Sequence, residues 1–470
     1  MGSERYDETV REQKRAQREQ QIKKQKIALF VALIIIIAIV GVLLYTMFGK
    51  KKEEKQAFAD TKWKQSVGEV YQKFQEANHL DIKAAEFTDW LLETYPEESQ
   101  GEMMKKIDSG TLEELDFYNS YGKTLHVLSD EYKGYLKDSN TAKSQGIYLK
   151  EGAVNGQVEI VLGGDLELIE EEAFLQDYDN DEFQTNVPEE FIQQMQKADL
   201  LYFNQEYSLS DAGTALEGKT DVFHANAGRI EIMKQLGIDL VSLSNDHAAD
   251  YGQEGLQETM NLLADAGIAY VGAGENLSQA QSPVYFIVNG LKIGFTAISG
   301  MEDEFQTEAG EESVGIHQLH DLKEYTAQIE EAAQNCDYLI SYIHNGENEN
   351  AQPSEEQQEQ SEAMIKAGAD FVIGGHGNRL QGIEYVEGSP ILYSLGDFLP
   401  EGDSKYEALV KLHITASGLE EMSLMPALQS ESGMKYLDNS DDQKKMYEAY
   451  EELCTNAQID EKGVITEKKS

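Results

Sequence analysis

Leu240-Val241-Ser242-Leu243-Ser244-Asn245-Asp246-His247-Ala248-Ala249-Asp250-Tyr251-Gly252 starts as a short apolar β-type run, crosses a polar connection and enters an amphipathic helix carrying Leu256, Met260 and Leu263. Strand, polar turn and helix in that order are the repeating unit of an α/β fold. In open α/β sheets ligands collect at the carboxyl ends of the strands. Four further apolar runs end in the same way: Val158 to Leu162 before Asp165, Leu200 to Phe203 before Asn204 and Glu206, Tyr338 to Ile343 before His344, and Phe371 to Ile373 before His376 and Asn378. Carboxylates and imidazoles assembled from several strand ends read as a metal centre.

The 470 residues and 40% hydrophobic content suffice for a large core and leave room for two or three domains. A net charge of −47 argues against nucleic acid as a partner, because phosphate binding relies on clustered Lys and Arg that the body of the chain lacks. Cys336 and Cys454 are far apart and without CxxC spacing, so neither a disulfide framework nor a thiolate zinc site is expected.

Ile27 to Phe48 is an uncharged apolar run long enough, at ~1.5 Å per residue, to cross a hydrocarbon core of ~30 Å. It is read as a transmembrane helix rather than a cleaved signal, since Met47-Phe48-Gly49 leads straight into Lys50-Lys51-Lys52 with no small-residue cleavage site. Residues 1–26 carry eight Lys or Arg and five acids, a net +3, which leaves −50 for the rest of the chain. Four basic residues follow the span, so the positive-inside rule predicts a cytoplasmic N-terminus, a single crossing of the cell membrane and an extracellular body.

The expected organisation is a basic tail (1–26), the membrane span (27–48), a helical stalk or membrane-proximal module with a linker (49–150), an α/β domain (151–425), and a C-terminal helix with a polar tail (426–470). The helical module shows Trp63, Val67, Val70 and Phe74 at helical spacing, then apolar clusters at Phe87, Trp90, Leu91 and at Leu112, Leu115, Tyr118. Within the α/β domain, Asn289-Gly290 between two apolar runs predicts a type I′ hairpin. Asp177, Asp179 and Asp181 imitate an EF-hand start, but Glu182 and Pro188 occupy the positions that need Gly and Glu. Gly272-Ala273-Gly274 lacks the third glycine of a dinucleotide site.

The segment Asn245 to Gly252 resembles the Asn-Asn-His-x-x-Asp-Tyr-Gly signature of the CapA, or poly-γ-glutamate capsule biosynthesis, proteins, which are relatives of the calcineurin-like metallophosphatases. Gly164-Asp165, Asn204-Gln205-Glu206, His344-Asn345-Gly346-Glu347 and Tyr393-Ser394-Leu395-Gly396-Asp397-Phe398 are similar to further motifs of that family, in the family's order. The resemblance implies a metallophosphatase-like four-layer α-β-β-α sandwich. Position by position it implies Asp165, Glu206, Asp246, His344, His376 and Asn378 as metal ligands and His247 as the acid/base, with Asn204, Asn245, Asp250, Glu347 and Asp397 supporting them. Taken singly, Asp165 also fits a helix cap, Asn245, Asp246 and Asp250 fit turn residues, and each histidine fits a hydrogen-bonded core position.

Departures from the pattern bear on the chemistry. Gly374-Gly375-His376-Gly377-Asn378 stands where the family has Gly-His-His-Pro-His, so an amide replaces an imidazole, a poorer ligand for a borderline cation. Asp246 replaces an Asn, Asn345 a Trp and Asp397 an Asn. The expected cofactor is therefore one or two divalent ions (Mn, Zn, Fe or Mg). The expected role is in synthesis, export or anchoring of a poly-γ-glutamate-type capsule polymer, with the polymer and other capsule-assembly membrane proteins as partners. A metal-dependent phosphoesterase at the cell surface and a catalytically silent scaffold remain the alternatives.

Overall fold

The computed structural model describes residues 62–468, except for 76–83, 96, 122, 126, 130–131, 133–145, 151–155, 171–172, 180–186, 302–304, 400–404 and 431–432. Among these residues no helix is long and apolar enough to cross a membrane, and the apolar run 27–48 lies outside them. The chain forms two compact units, one helical and one mixed α/β.

The helical unit contains α1 (62–75), α2 (Ala84–Thr94), α3 (Glu97–Ser109) and α4 (Glu114–Tyr121). Trp63, Val67, Tyr71 and Phe74 recur every three to four residues and are buried with Phe87, Trp90 and Leu91. The Tyr71 and Phe87 rings stack at 3.8 Å. The expected cluster at Leu115 and Tyr118 is not a core: both are more than half exposed and Phe117 is buried instead. At ~100° per residue Phe117 points away from the face that Leu115 and Tyr118 share.

The α/β unit is built on two sheets. One runs in the order β1 (Ile147–Lys150), β6 (Val284–Val288), β7 (Leu291–Ser299), β8 (Tyr338–His344), β9 (Phe371–Gly375), β11 (Ser389–Leu392), β10 (Ile383–Val386). The other runs β14 (Ala457–Ile459), β15 (Val464–Glu467), β13 (Gly418–Ser430), β12 (Lys405–Thr415), β2 (Gln157–Leu166), β3 (Leu200–Gln205), β4 (Leu240–Ser242), β5 (Ala269–Val271). Strands β2 to β5 are mutually parallel, as are β7, β8 and β9. All five ligand-bearing strand ends named from the sequence belong to these parallel sets. Asn289 and Gly290 have φ of 50° and 91°, both left-handed, as a type I′ turn between β6 and β7 requires.

Alternation along each strand sorts side chains between layers. Ile160, Leu162, Leu200 and Tyr202 of one sheet meet Phe295, Ile340, Tyr342 and Ile373 of the other in a core between the sheets. Val161, Leu201, Phe203 and Val241 point the other way, onto α5 (Glu189–Lys197), α6 (Ile230–Leu236) and α7 (Gly252–Ala266) through Phe191, Ile232, Leu256 and Met260. Leu339, Ile343 and Val372 pack outward against Tyr325 and Ile329 of α8 (Leu322–Ala333) and Met364 of α9 (Glu355–Lys366). The unit is thus layered α-β-β-α.

The C-terminal segment departs from the sequence expectation. After α10 (Ser440–Glu451) the chain does not continue as a polar tail: Ala457–Ile459 and Val464–Glu467 form a hairpin whose second strand pairs with β13. Ala457 and Ile465 enter the core between the sheets. With so few apolar residues in so short a hairpin, their alternation does not stand out in a polar stretch.

Candidate metal centre

Asp165, at the end of β2, ties three strand ends together. Its Cα is in register with Asn204 of β3 and with Asp397 of the short strand Asp397–Phe398. One carboxylate oxygen accepts from Asn204 Nδ2 (2.9 Å) and the other from the backbone N–H of His376 (2.8 Å). Glu206 leaves β3 two residues beyond Asn204 and accepts from the same amide group at 3.2 Å. Asn245 donates to Asn204 Oδ1 (2.9 Å) and to the Gln205 carbonyl (2.8 Å). Its own Oδ1 accepts from the N–H groups of His247 and Ala248, an Asx turn that presents Asp246 and His247.

Glu206, Asp246, His344 and His376 come together: each offers one ligand atom, and those four atoms all lie within 4.8 Å of one another. His344, fully buried at the end of β8, places Nε2 2.8 Å from Asp246 Oδ1 and 3.5 Å from Glu206 Oε1. Its Nδ1 is 2.7 Å from Tyr342 Oη. A tyrosine hydroxyl can donate or accept; in the tautomer whose Nδ1–H donates to the Tyr342 oxygen, Nε2 carries the lone pair that a cation between it and Asp246 would take. His376 Nδ1 is buried with no hydrogen-bond partner and stands 3.7 Å from Asp246 Oδ1. An orphaned imidazole nitrogen beside two carboxylates and a second imidazole fits a divalent cation of borderline softness.

The electrostatics agree with that fit. Burial, with Asp165 and Asp246 close by, pushes the Glu206 carboxyl well above its ordinary range. Burial also opposes ionisation of Asp246, but the hydrogen bond from His344, together with His376 and His247, outweighs it and holds this carboxyl well below its usual range. A cation would relieve the mutual repulsion of these acids.

His247 is set by Asp250, which is fully buried: Nδ1 lies 2.8 Å from Asp250 Oδ2, the ring stacks on Phe223 at 3.8 Å, and Nε2 lies 3.5 Å from Asp246 Oδ2. Asp250 also accepts from the Phe223 N–H (2.7 Å) and from Lys219 Nζ (2.7 Å). This is the geometry of an oriented acid/base. Sequence reasoning missed Lys219, Phe223 and Tyr342. Lys219 sits in a loop 31 residues before Asp250 with no motif around it.

The remaining expected residues are placed as follows. Asn378 is half-buried with a left-handed φ of 50°, and its carbonyl accepts from Lys405 Nζ at 2.6 Å. Glu347 is exposed and accepts from Asn350 at 3.3 Å. Asp397 is buried against Lys405 Nζ (2.6 Å); burial raises its carboxyl to about 6, with Lys405 opposing and Asp165 adding to the rise. Lys405, another residue missed in the sequence, thus puts a fixed positive charge beside Asn378 and Asp397.

Comparison with known proteins matches residues 159–401, just over half of the chain, to the family described as "Bacterial capsule synthesis protein PGA_cap". The capsule biosynthesis protein CapA of Bacillus anthracis is 28% identical over 256 residues, covering 53% of this chain and 60% of that one. The PGA biosynthesis protein CapA of Bacillus subtilis is 30% identical over 208 residues, covering 43% and 53%. The chain therefore spans less than two thirds of these relatives' own lengths. Among solved structures, a phosphatase of Mycoplasma pneumoniae overlaps 58% of this chain and 94% of its own at 13% identity and a TM-score of 0.39, a likeness too loose to bear on the site. On the family match, which spans the metal-centre residues from Asp165 to Asp397, the chain belongs to the bacterial capsule synthesis protein family.

Proposed function

We propose that this chain serves the synthesis, export or anchoring of a poly-γ-glutamate-type capsule polymer, through a metallophosphatase-like centre held outside the cell by a single membrane span. The observation that carries the reading is the convergence of Glu206, Asp246, His344 and His376 in a chain of this family. These four residues would hold the ion, with Asp165 beside them. A divalent cation there supplies Lewis-acid polarisation of a bound phosphoryl or carbonyl oxygen. The chain's own residues do the rest: Asn204 and Asn245 orient the carboxylates, and His247, aligned by Asp250 and Phe223, offers Nε2 to give or take a proton at the reacting group. The acidic body disfavours broad electrostatic capture of a polyanion, so the polymer is engaged locally.

In capsule-forming cells lacking this chain, surface-bound polymer should fall and return with the wild type but not with His344→Ala or Asp246→Ala. Full rescue by both variants would overturn the metal-dependent reading. Protease added to intact cells should remove the body and leave a protected N-terminal fragment, and full-length protein surviving that treatment would overturn the external placement. The oriented His247 favours, as a second reading, a working phosphoesterase over a silent scaffold. Hydrolysis of p-nitrophenyl phosphate that depends on added Mn²⁺ and is lost in His247→Ala would support it.

A further inference from the structure

Lys219 stands in the loop between two short strands, Ser208–Leu209 and His224–Ala225, whose parallel pairing closes the loop's neck. There the Ser208 N–H donates to the Phe223 carbonyl (2.9 Å) and the Ser210 N–H to the Ala225 carbonyl (3.0 Å). The loop is laid onto the start of α7. The Leu216 N–H donates to the Asp250 carbonyl at 2.9 Å, and a Cβ on Gly213, whose φ is 77°, would stand 2.2 Å from the Tyr251 carbonyl. His224 stacks on Tyr251 at 3.9 Å. The loop is therefore a fixed strap over the turn that carries Asp246 and His247.

From this strap the Lys219 ammonium reaches two members of that turn: it donates to Asp250 Oδ1 at 2.7 Å and to the Asp246 carbonyl. The other Asp250 oxygen accepts from the Phe223 N–H (2.7 Å) and faces His247 Nδ1 (2.8 Å). Each oxygen of the carboxylate has its own partners, so the group cannot rotate without breaking one set, and Oδ2 stays aimed at the imidazole. At its second contact the ammonium holds the backbone of Asp246, whose carboxylate lies 2.8 Å from His344 Nε2. The pair is buried on both sides, Lys219 7% and Asp250 0% exposed, whereas the Lys150–Asp239 pair is 35% and 20% exposed. Burying both charges is costly, and such pairs more often fix a geometry than add stability.

We propose that Lys219 is a positioning residue for His247. Its ammonium locks the Asp250 carboxylate on His247 Nδ1 and, through the Asp246 carbonyl, fixes where the imidazole stands relative to the metal-ligating turn. This inference rests on the acid/base reading of His247, and Lys219 itself touches neither ion nor substrate.

The test uses the full chain in nanodiscs, free of metal and labelled with ¹⁵N-histidine. The His247 Nδ1–H signal, identified by its loss in His247→Gln, should exchange slowly with solvent in the wild type. Lys219→Met should speed that exchange at least about tenfold or erase the signal, while Lys219→Arg, which keeps the charge, should preserve it. Circular dichroism shows whether each variant is folded, and Lys219→Gln takes the place of Lys219→Met if the latter is not. In the Mn²⁺-loaded chain, kcat for p-nitrophenyl phosphate should fall about 10- to 100-fold in Lys219→Met, with KM and Mn²⁺ affinity within about threefold of the wild type. A wild type without a protected signal, a neutral variant that keeps the wild-type exchange rate, or a folded Lys219→Arg that loses the signal as fully as Lys219→Met would each overturn the proposal. A protected signal that depends on Lys219 in a chain with no phosphoesterase activity would support the positioning and count against the acid/base reading alone.

Discussion

His376 holds φ at 82°, a left-handed conformation unusual for a side chain with a Cβ, and such strain persists only where surroundings over-determine it. Here the His376 N–H is fixed on Asp165 while the ring is turned toward Asp246 with Nδ1 unpartnered. A ligand role predicts that His344→Ala, which removes the buried imidazole nearest Asp246 and Glu206, weakens Mn²⁺ or Zn²⁺ binding by roughly 100-fold or more, read by calorimetry. Asn378→His tests whether the amide limits the site: bound metal should rise above the wild-type level, measured by elemental analysis. Two ions held tightly by the wild type, unchanged in the variant, would show that it does not. Asp250→Asn should leave metal content intact yet lower any phosphoesterase activity by about 10- to 100-fold, because His247 loses the carboxylate that sets its tautomer.

At the scale of the element, the end of β9 is shaped by what it must not carry. A Cβ on Gly375 would sit 2.2 Å from Tyr342 Oη, 2.6 Å from Asp165 Oδ1 and 3.1 Å from His344 Nδ1. Gly375→Ala should therefore destabilise the α/β unit by about 1–3 kcal/mol in chemical denaturation and weaken metal binding with it. An unchanged affinity would mean that Tyr342 and Asp165 can move without consequence. The apolar strand ending in Gly374-Gly375 was legible in the sequence, whereas the reason for two glycines was not, since the crowding comes from the Tyr393 backbone at Gly374 and from β2 and β8 at Gly375.

Across the whole molecule, His317 links pH to stability. It is 3% exposed; burial lowers its pKa to about 4, the Ala297 carbonyl partly opposing and His320 adding to the fall. The folded chain keeps this imidazole neutral while the unfolded chain protonates it near ~6.5. Its stabilising contribution is complete above ~6.5 and is lost as pH falls toward 4, by roughly 3 kcal/mol in all. His317→Gln should flatten that limb when circular dichroism follows denaturation between pH 7 and 4.5, and a limb as steep as in the wild type would rule His317 out. Trp63 and Trp90, the chain's two tryptophans, both lie in the helical unit, so tryptophan fluorescence should not register the substitution.

What the sequence alone determined was the chemistry of each strand end and the faces of most elements. Apolar alternation and turn residues are local signals, and the strands ending near Asp165, Asn204, Asn245, His344 and His376, like the Asn289-Gly290 hairpin, follow from them. Only the tertiary structure decided which ends meet: the His376 N–H finds Asp165 across 211 residues, a pairing set by strand order that no local periodicity encodes. For the same reason Lys219, Tyr342 and Lys405 joined the site unannounced, and a weakly apolar terminal stretch became a hairpin because an existing sheet edge supplied the partners that its own sequence lacked.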